Sequence, residues 1–465
     1  MRRTAVMGRF VRRGIGVLAL ALPVALHGQT AAGVQHTADS LAKAFLLAKS
    51  GPSVAIAVVR GNDTLVMKAW GMADLELSVP ANARSVYKIG SVTKQFTSSI
   101  VMQLVEQGKV KLDDSIGTYL PSLPAAWHVV TIRQLLNHTS GIPSYTDIGE
   151  RWVRLWGIEM PPDSLVALTA NDSLWFAPGT KWRYDNTGYI VLGMLVEKMT
   201  GKPWGTNVIE RFSKPLGLAD TRECLSVPIV PRRVAGYVLD SGTWQNAPYL
   251  AMTQPFSAGS LCSTIGDLAR WDHALNTGKV VSASSYAAMT TPEGAAAKGE
   301  LKYGFGLGRD TLAGRDIVTH GGAIHGFSSA NFWIPSVQLS VTVLSNADGA
   351  PVTALAKQLA RAALGVPLEQ PPKTVVLTAA DRAKYTGVFA LVLPDGAHDF
   401  TFAEQGDHLT AQLAGQGAFP MLFLGNDTFG VTFDPKLRIT FTVENGRATR
   451  VTLLQGGATF SGARK

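Results

Sequence analysis

Cysteine is almost missing: the chain has two in 465 residues, Cys224 and Cys262. Two cysteines cannot build a disulfide-stapled scaffold or a cysteine-ligated zinc site. No set of His, Asp and Glu falls at metal-ligand spacing either, so neither a metal centre nor a cofactor is expected. Charge is also sparse, at 17% of residues against 46% hydrophobic. That balance excludes a disordered chain and suits a large packed core. The net charge is +9, but Arg2, Arg3, Arg9, Arg12 and Arg13 all precede the first acid, Asp39. No basic stripe follows them, so a nucleic-acid partner is not expected. Beyond the N-terminus no apolar run reaches the ~18–20 residues that would cross a bilayer, so no integral membrane segment is expected once the leader is removed. The Gly-x-Ser-x-Gly elbow of the common α/β-hydrolases is absent as well.

What the N-terminus does contain is five arginines ahead of the apolar run Gly14 to Leu26, interrupted by Pro23 and followed by the small residues Gly28, Ala31 and Ala32. This pattern reads as an export signal over residues 1–32, cleaved somewhere in 28–32. Arg12-Arg13 leaves a twin-arginine route open beside an ordinary basic leader. The mature protein is then expected in the periplasm or outside the cell. In that oxidising setting Cys224 and Cys262 are expected to form a disulfide, with two buried free thiols as the alternative.

The rest divides by its periodicity. Ser53 to Arg60 is a β-branched run ended by Gly61-Asn62-Asp63, and Thr64 to Trp70 returns, which predicts a hairpin. Phe96, Ile100, Val101, Leu104 and Val105 recur at helical spacing behind Ser91, so Ser91 falls at a helix N-terminus. Thr131 and Gln134 form a capping box, and Tyr189 to Met199 is apolar all round, as a buried helix stopped by Gly201 would be. Two strands lie at 330–334 and 337–344, and a helix follows Pro351. Strands at both ends with helices between imply one α/β (α+β) unit over residues 36–365: an antiparallel sheet flanked by helices with an all-helical insert. Residues 366–373 (VPLEQPPK) read as a linker. Seven or eight short strands follow within 374–465, including the turn Asn445-Gly446, and predict a small all-β barrel-like domain.

The chemistry concentrates in three short stretches. Ser91 and Lys94 stand one helical turn apart, so an amine can reach the hydroxyl. Serine is a weak nucleophile that needs such a base, and burial would lower the pKa of the lysine enough to provide it. Tyr184-Asp185-Asn186 precedes the buried helix. There Tyr184 can pass a proton between nucleophile and leaving group, and Asn186 can bond a substrate amide carbonyl. His320-Gly321-Gly322-Ala323 precedes a strand. Gly322 lets a substrate lie flat on the backbone, and the N–H of Ala323 can pair with that of Ser91 as an oxyanion hole. Alone, each stretch is equally a surface serine and lysine, an Asx turn, or a glycine-rich turn.

Taken together and in this order, Ser-x-x-Lys, Tyr-x-Asn and His-Gly-Gly resemble the motif set of serine β-lactamases of the class C type and of related D,D-peptidases and esterases. The cognate triplet of class A β-lactamases and penicillin-binding proteins is S-x-x-K, S-D-N and K-T-G. Leu135–Gly141 (LLNHTSG), Ala177–Thr180 and Ser257–Ser260 resemble the same family. The resemblance implies that His138 and Ser140 are structural. It also implies a serine hydrolase that forms an acyl-enzyme on amide or ester bonds, acting on small molecules, peptides or esters. Its oligomeric state is open. A non-catalytic scaffold of the same shape is the alternative, and it would be expected to lack a motif residue. His320 stands where class C enzymes carry lysine. An imidazole that protonates near pH ~6.5 would favour carboxylate-bearing substrates at about pH 6 over about pH 8.

Overall fold

The computed structural model describes residues 30–299, 301–370, 374–393, 396–406, 408–414, 418–431, 437–455 and 458–465. The export signal expected over 1–32 lies almost wholly outside the described residues. Its last two positions, Ala31 and Ala32, open a helix, Ala31–Leu47, capped by Thr30.

The main sheet is antiparallel and has eight strands. In spatial order they are Val79–Pro80, Asp63–Asp74, Ser53–Arg60, Leu339–Ser345, Phe327–Ile334, Arg315–Ile324, Gly308–Leu312 and Lys302–Tyr303. The N-terminal hairpin thus pairs with strands almost 300 residues later, as a sheet assembled from both ends of the region requires. Ser53–Arg60 is central and covered on both faces, which explains why it reads as a continuous apolar run rather than an alternating one. Val54, Ile56 and Val58 point to a layer made by the helices Ala31–Leu47 and Val352–Leu364. Ala55 and Ala57 point the other way, to the larger core around Phe96, Trp271 and Tyr189.

That larger core holds the helix Thr93–Glu106 in place. Phe96 stacks on Trp271 at 3.8 Å between centroids and meets Phe212 edge-on. The helix Asn186–Thr200 crosses beside it. Asp185 caps its start, accepting a bond from the Gly188 N–H at 3.0 Å, and Gly201 at φ +67° ends it in the left-handed conformation. Thr131 and Gln134 do form the reciprocal capping box.

A small sheet ties the nucleophile segment down. Tyr87–Lys88 and Arg222–Glu223 flank Leu261–Ser263. This sheet corrects the expected disulfide: Cys224 and Cys262 are both free and buried. The register sets Arg222 opposite Cys262, so Cys224 is its diagonal neighbour across the strands. The two thiols touch through a hydrogen bond, and the alternative of two buried thiols is the one this structure holds.

After the helix Val352–Leu364 the chain enters a second, nine-stranded antiparallel sheet. Its two edge strands, Phe419–Pro420 and Leu422–Gly425, are consecutive in the chain, separated only by Met421, whose N–H bonds the Leu409 carbonyl at 2.8 Å. The sheet therefore curls into a nearly closed barrel, which leaves little free edge. Phe389, Phe402, Phe429 and Phe441 fill it. No helix among the described residues is long and apolar enough to cross a membrane.

Candidate active site

Ser91 lies in a single 3₁₀ turn, Gly90–Val92, that runs straight into the helix Thr93–Glu106. Lys94, one turn along, is 0% exposed. Its Nζ sits 3.1 Å from Ser91 Oγ, 2.8 Å from Asn186 Oδ1 and 2.8 Å from the carbonyl oxygen of Ala258. An amide oxygen and a backbone carbonyl can only accept, so they take two N–H bonds from Lys94; the Ser91 hydroxyl can accept a third from an ammonium or donate to a neutral amine. Burial drives the lysine pKa well below its usual value, which favours the neutral amine. Lys94 is thus placed to act as a base toward Ser91.

Tyr184 has the opposite character. Its hydroxyl is buried, faces Ser91 and completes no hydrogen bond in the unliganded site. Burial pushes the phenol pKa upward, so it rests protonated and can pass a proton on as it receives another. Catalytic hydrogen bonds are commonly long before substrate arrives. The loop carrying Tyr184 is fixed by the His-x-Ser stretch. His138 Nδ1 accepts the Asp185 N–H at 3.2 Å, Ser140 donates to Asp185 Oδ2 at 3.0 Å, and the rings of His138 and Tyr184 lie 4.3 Å apart. His138 and Ser140 thus position the loop and do not face substrate. Asn186 is held at both ends of its amide, by Lys94 and by Thr146 Oγ1 at 3.0 Å from Nδ2. One N–H remains for a substrate carbonyl.

The third stretch meets the first through glycine. The pairing of Gly308–Leu312 with Arg315–Ile324 ends at Gly308 opposite Thr319, so residues 320–324 have an edge free of that neighbour. This edge abuts the nucleophile turn. A Cβ on Gly322 would lie 2.0 Å from the Ile89 carbonyl oxygen and 2.4 Å from Ser329 Oγ, and one on Gly90 would lie 3.0 Å from the Ala323 nitrogen. Gly322 therefore acts by close approach and lets the Ala323 N–H reach the Ser91 side of the cleft. Gly322→Ala should cost roughly 1–3 kcal/mol from overpacking, read by urea unfolding, and should lower turnover further by moving Ala323. A variant with wild-type stability and activity would contradict this packing.

His320 departs from expectation. It is 6% exposed. Its Nδ1–H donates to the Gly321 carbonyl at 2.6 Å, which leaves Nε2 to accept the Tyr303 hydroxyl at 2.7 Å. Both nitrogens are used, and burial lowers its pKa to about 3. It is a neutral strut and offers no cation to a substrate. The expected gain near pH 6 is thereby corrected: the rate ratio of a carboxylate-bearing to a neutral substrate should stay flat from about pH 5.5 to about pH 8. A step in that ratio near pH ~6.5, lost in His320→Asn, would restore the histidine's role.

Several working residues lie outside the three catalytic stretches. The Ala258 carbonyl and Thr146 orient Lys94 and Asn186. A pocket of about 110 Å³ opens beside Ser91 and Ala323, walled by Tyr145, Trp152, Leu250, Ile324 and His325, with no charged side chain among its described lining residues. His325 packs edge-on against Trp156 at 4.3 Å, and its Nδ1 bonds the Pro248 carbonyl. It is a wall of this pocket.

A serine whose hydroxyl meets a buried lysine of lowered pKa, beside a protonated tyrosine and two backbone N–H groups, is a site built for acyl transfer. The comparisons with known proteins agree with this class. The Beta-lactamase family model matches residues 23–366, and the chain belongs to that family. It is 27% identical over 356 residues to a D-aminopeptidase of Gluconobacter oxydans, covering 74% of this chain and 65% of the relative. It is 26% identical to a D-aminopeptidase of Brucella ovis, with 69% and 61% covered. The chain thus spans less than two thirds of the length of these curated relatives. Among solved structures, the octameric penicillin-binding protein homologue from Pyrococcus abyssi superposes with TM-score 0.66 at 23% identity, over 92% of this chain and 99% of that one. A D-stereospecific amidohydrolase from Streptomyces superposes with TM-score 0.59 at 28% identity, over 72% and 98%.

Proposed function

We propose that the protein is an exported acyl-enzyme hydrolase of amide bonds whose acyl part carries an apolar side chain. The observation that carries this reading is the bonding of Lys94 to Asn186, Ala258 and Ser91. Lys94 Nζ takes the Ser91 proton as Oγ attacks the carbonyl carbon. The oxyanion is held by the N–H groups of Ser91 and Ala323. Tyr184 relays the proton to the departing nitrogen, the C–N bond breaks, and water then releases the acyl group from Ser91 by the reverse relay. The uncharged pocket takes the acyl side chain. Its aromatic walls supply area without a charge to satisfy, which favours phenylalanine-like or leucine-like groups.

The names of the relatives, D-aminopeptidase and D-stereospecific amidohydrolase, support D-configured substrates. The neutral His320 speaks against a penicillin carboxylate as the preferred anion. The leader expected over 1–32 supports export. The test is hydrolysis of D- and L-phenylalanine amides, a simple ester and a penicillin, with Ser91→Ala beside the wild type. Serine-dependent turnover favouring the D-amide is the expected result. Turnover of the penicillin alone would move the protein to the antibiotic-hydrolysing branch, and no turnover with any substrate would favour the non-catalytic scaffold.

A further inference from the structure

The acyl pocket beside Ser91 holds one ring nitrogen with a free lone pair. The other polar side chains in its wall are committed elsewhere. Tyr145 donates to the Gln254 carbonyl at 2.8 Å, and Trp152 Nε1 donates to Gln254 Oε1 at 2.8 Å. Thr146 Oγ1 accepts from Asn186, meets Ser144 Oγ at 2.8 Å and donates to Asp147 Oδ1 at 3.2 Å. Asn186 Oδ1 is taken by Lys94, so its amide offers only an N–H. His325 is different. A carbonyl oxygen can only accept, so the 3.1 Å contact with Pro248 fixes a proton on Nδ1. Burial lowers the pKa of the ring, which is therefore neutral at neutral pH. Nε2 then carries a lone pair, with no hydrogen-bond partner among the described residues.

The position of His325 is fixed by the sheet. Ile324 pairs with Phe327, so His325 and Gly326 form the two-residue turn between the strands Arg315–Ile324 and Phe327–Ile334. Gly326 takes φ +78°, and its N–H donates to Asp348 Oδ1 at 2.8 Å. Ala323, whose N–H holds the oxyanion, lies two residues before His325, and both line one small pocket with Ser91.

We infer that His325 is a specificity-determining residue: its Nε2 accepts a hydrogen bond from an N–H on the α-carbon of the acyl group, so that amino-acyl substrates are preferred to plain carboxylic acyl groups of the same shape. This rests on the hydrolase reading above. The α-carbon is bonded directly to the carbonyl that Ser91 attacks, so its substituents enter the pocket that Ser91, Ala323 and His325 share. No carboxylate lines that pocket among the described residues. A neutral nitrogen acceptor serves an ammonium, a free amine or an acylated N–H alike, so the selection is for the N–H and not for its charge. An acyl group without the N–H covers Nε2 and leaves it unpaired.

The test uses two p-nitroanilides with the same leaving group: that of phenylalanine, in the enantiomer the enzyme accepts, and that of 3-phenylpropanoic acid, which lacks only the amine. The ratio of their kcat/KM values, amino over plain, is taken in the wild type and divided by the same ratio in a variant. That quotient cancels a general loss of activity, and it cancels the greater intrinsic reactivity of an amino-acyl carbonyl. His325→Phe keeps an aromatic wall and removes both nitrogens. His325→Asn keeps a donor for the Pro248 carbonyl and removes Nε2. The quotient should be about tenfold for each variant. Where a variant turns over too slowly, calorimetric Kd values of the two product acids, phenylalanine and 3-phenylpropanoate, give the same comparison. A quotient near one in either folded variant would overturn the inference, as would a wild type that cleaves the plain anilide faster than the amino one. Failure of the wild type to cleave either anilide, or cleavage that Ser91→Ala retains, would instead overturn the hydrolase reading.

Discussion

Replacing Ser91 by alanine should lower kcat on any accepted amide or ester by roughly 10⁴–10⁶-fold, the loss seen when a serine nucleophile is removed from an intact site. The protein should fold normally. Ser91 lines the pocket mouth, with its hydroxyl against Lys94, so its loss removes little packing. The check is a progress curve at high enzyme concentration, with circular dichroism and a thermal melt matched to the wild type. Loss of activity with an altered melt would mean that the turn had collapsed. Activity within tenfold of wild type would mean that another group attacks the carbonyl.

Lys94 should show the second-largest effect. Lys94→Arg places a side chain that stays protonated, so it removes the base. The expected loss is roughly 10²–10⁴-fold in kcat. The pH profile carries more information than the loss itself. A buried amine with a lowered pKa is neutral at every pH above that pKa, and only the neutral form accepts the serine proton. In the wild type kcat/KM should therefore rise with pH through an acid limb and reach its plateau well below the usual lysine range. Tyr184 should not add a base limb there, because burial moves its phenol further up. Lys94→Arg should erase the acid limb along with the rate. A limb near the ordinary lysine pKa, or its persistence in Lys94→Arg, would assign the base elsewhere.

Much of this site was legible because its parts are local. Ser91 and Lys94 sit one turn apart, and any helix there brings them together. Tyr184, Asp185 and Asn186 share one loop, with Asp185 capping the next helix. The hairpin at Ser53–Arg60, the helix Asn186–Thr200 and the run of short C-terminal strands likewise follow from period and turn chemistry.

What stayed hidden depends on contacts between distant residues. The Ala258 carbonyl that orients Lys94 comes from a backbone 164 positions away and leaves no mark in side-chain identity. His320 looks like a titrating group until Tyr303 is seen to occupy one nitrogen and the Gly321 carbonyl the other. Cys224 and Cys262 lie as a touching pair of buried free thiols on neighbouring strands, a proximity that their spacing in the chain does not show. The helix Ala31–Leu47 went unread because two of the four residues it buries are alanines, Ala38 and Ala42, which give only a weak apolar stripe beside Val34 and Phe45.

The central claim is a covalent intermediate on Ser91, and peptide-level mass spectrometry tests it most directly. The enzyme is mixed with an activated ester of an apolar D-amino acid, quenched in acid within the burst phase and digested. The acyl mass should appear once per chain, on the peptide containing Ser91, and should vanish in Ser91→Ala while Lys94→Arg accumulates it slowly. Turnover without any adduct, or an adduct on a peptide that lacks Ser91, would contradict the mechanism.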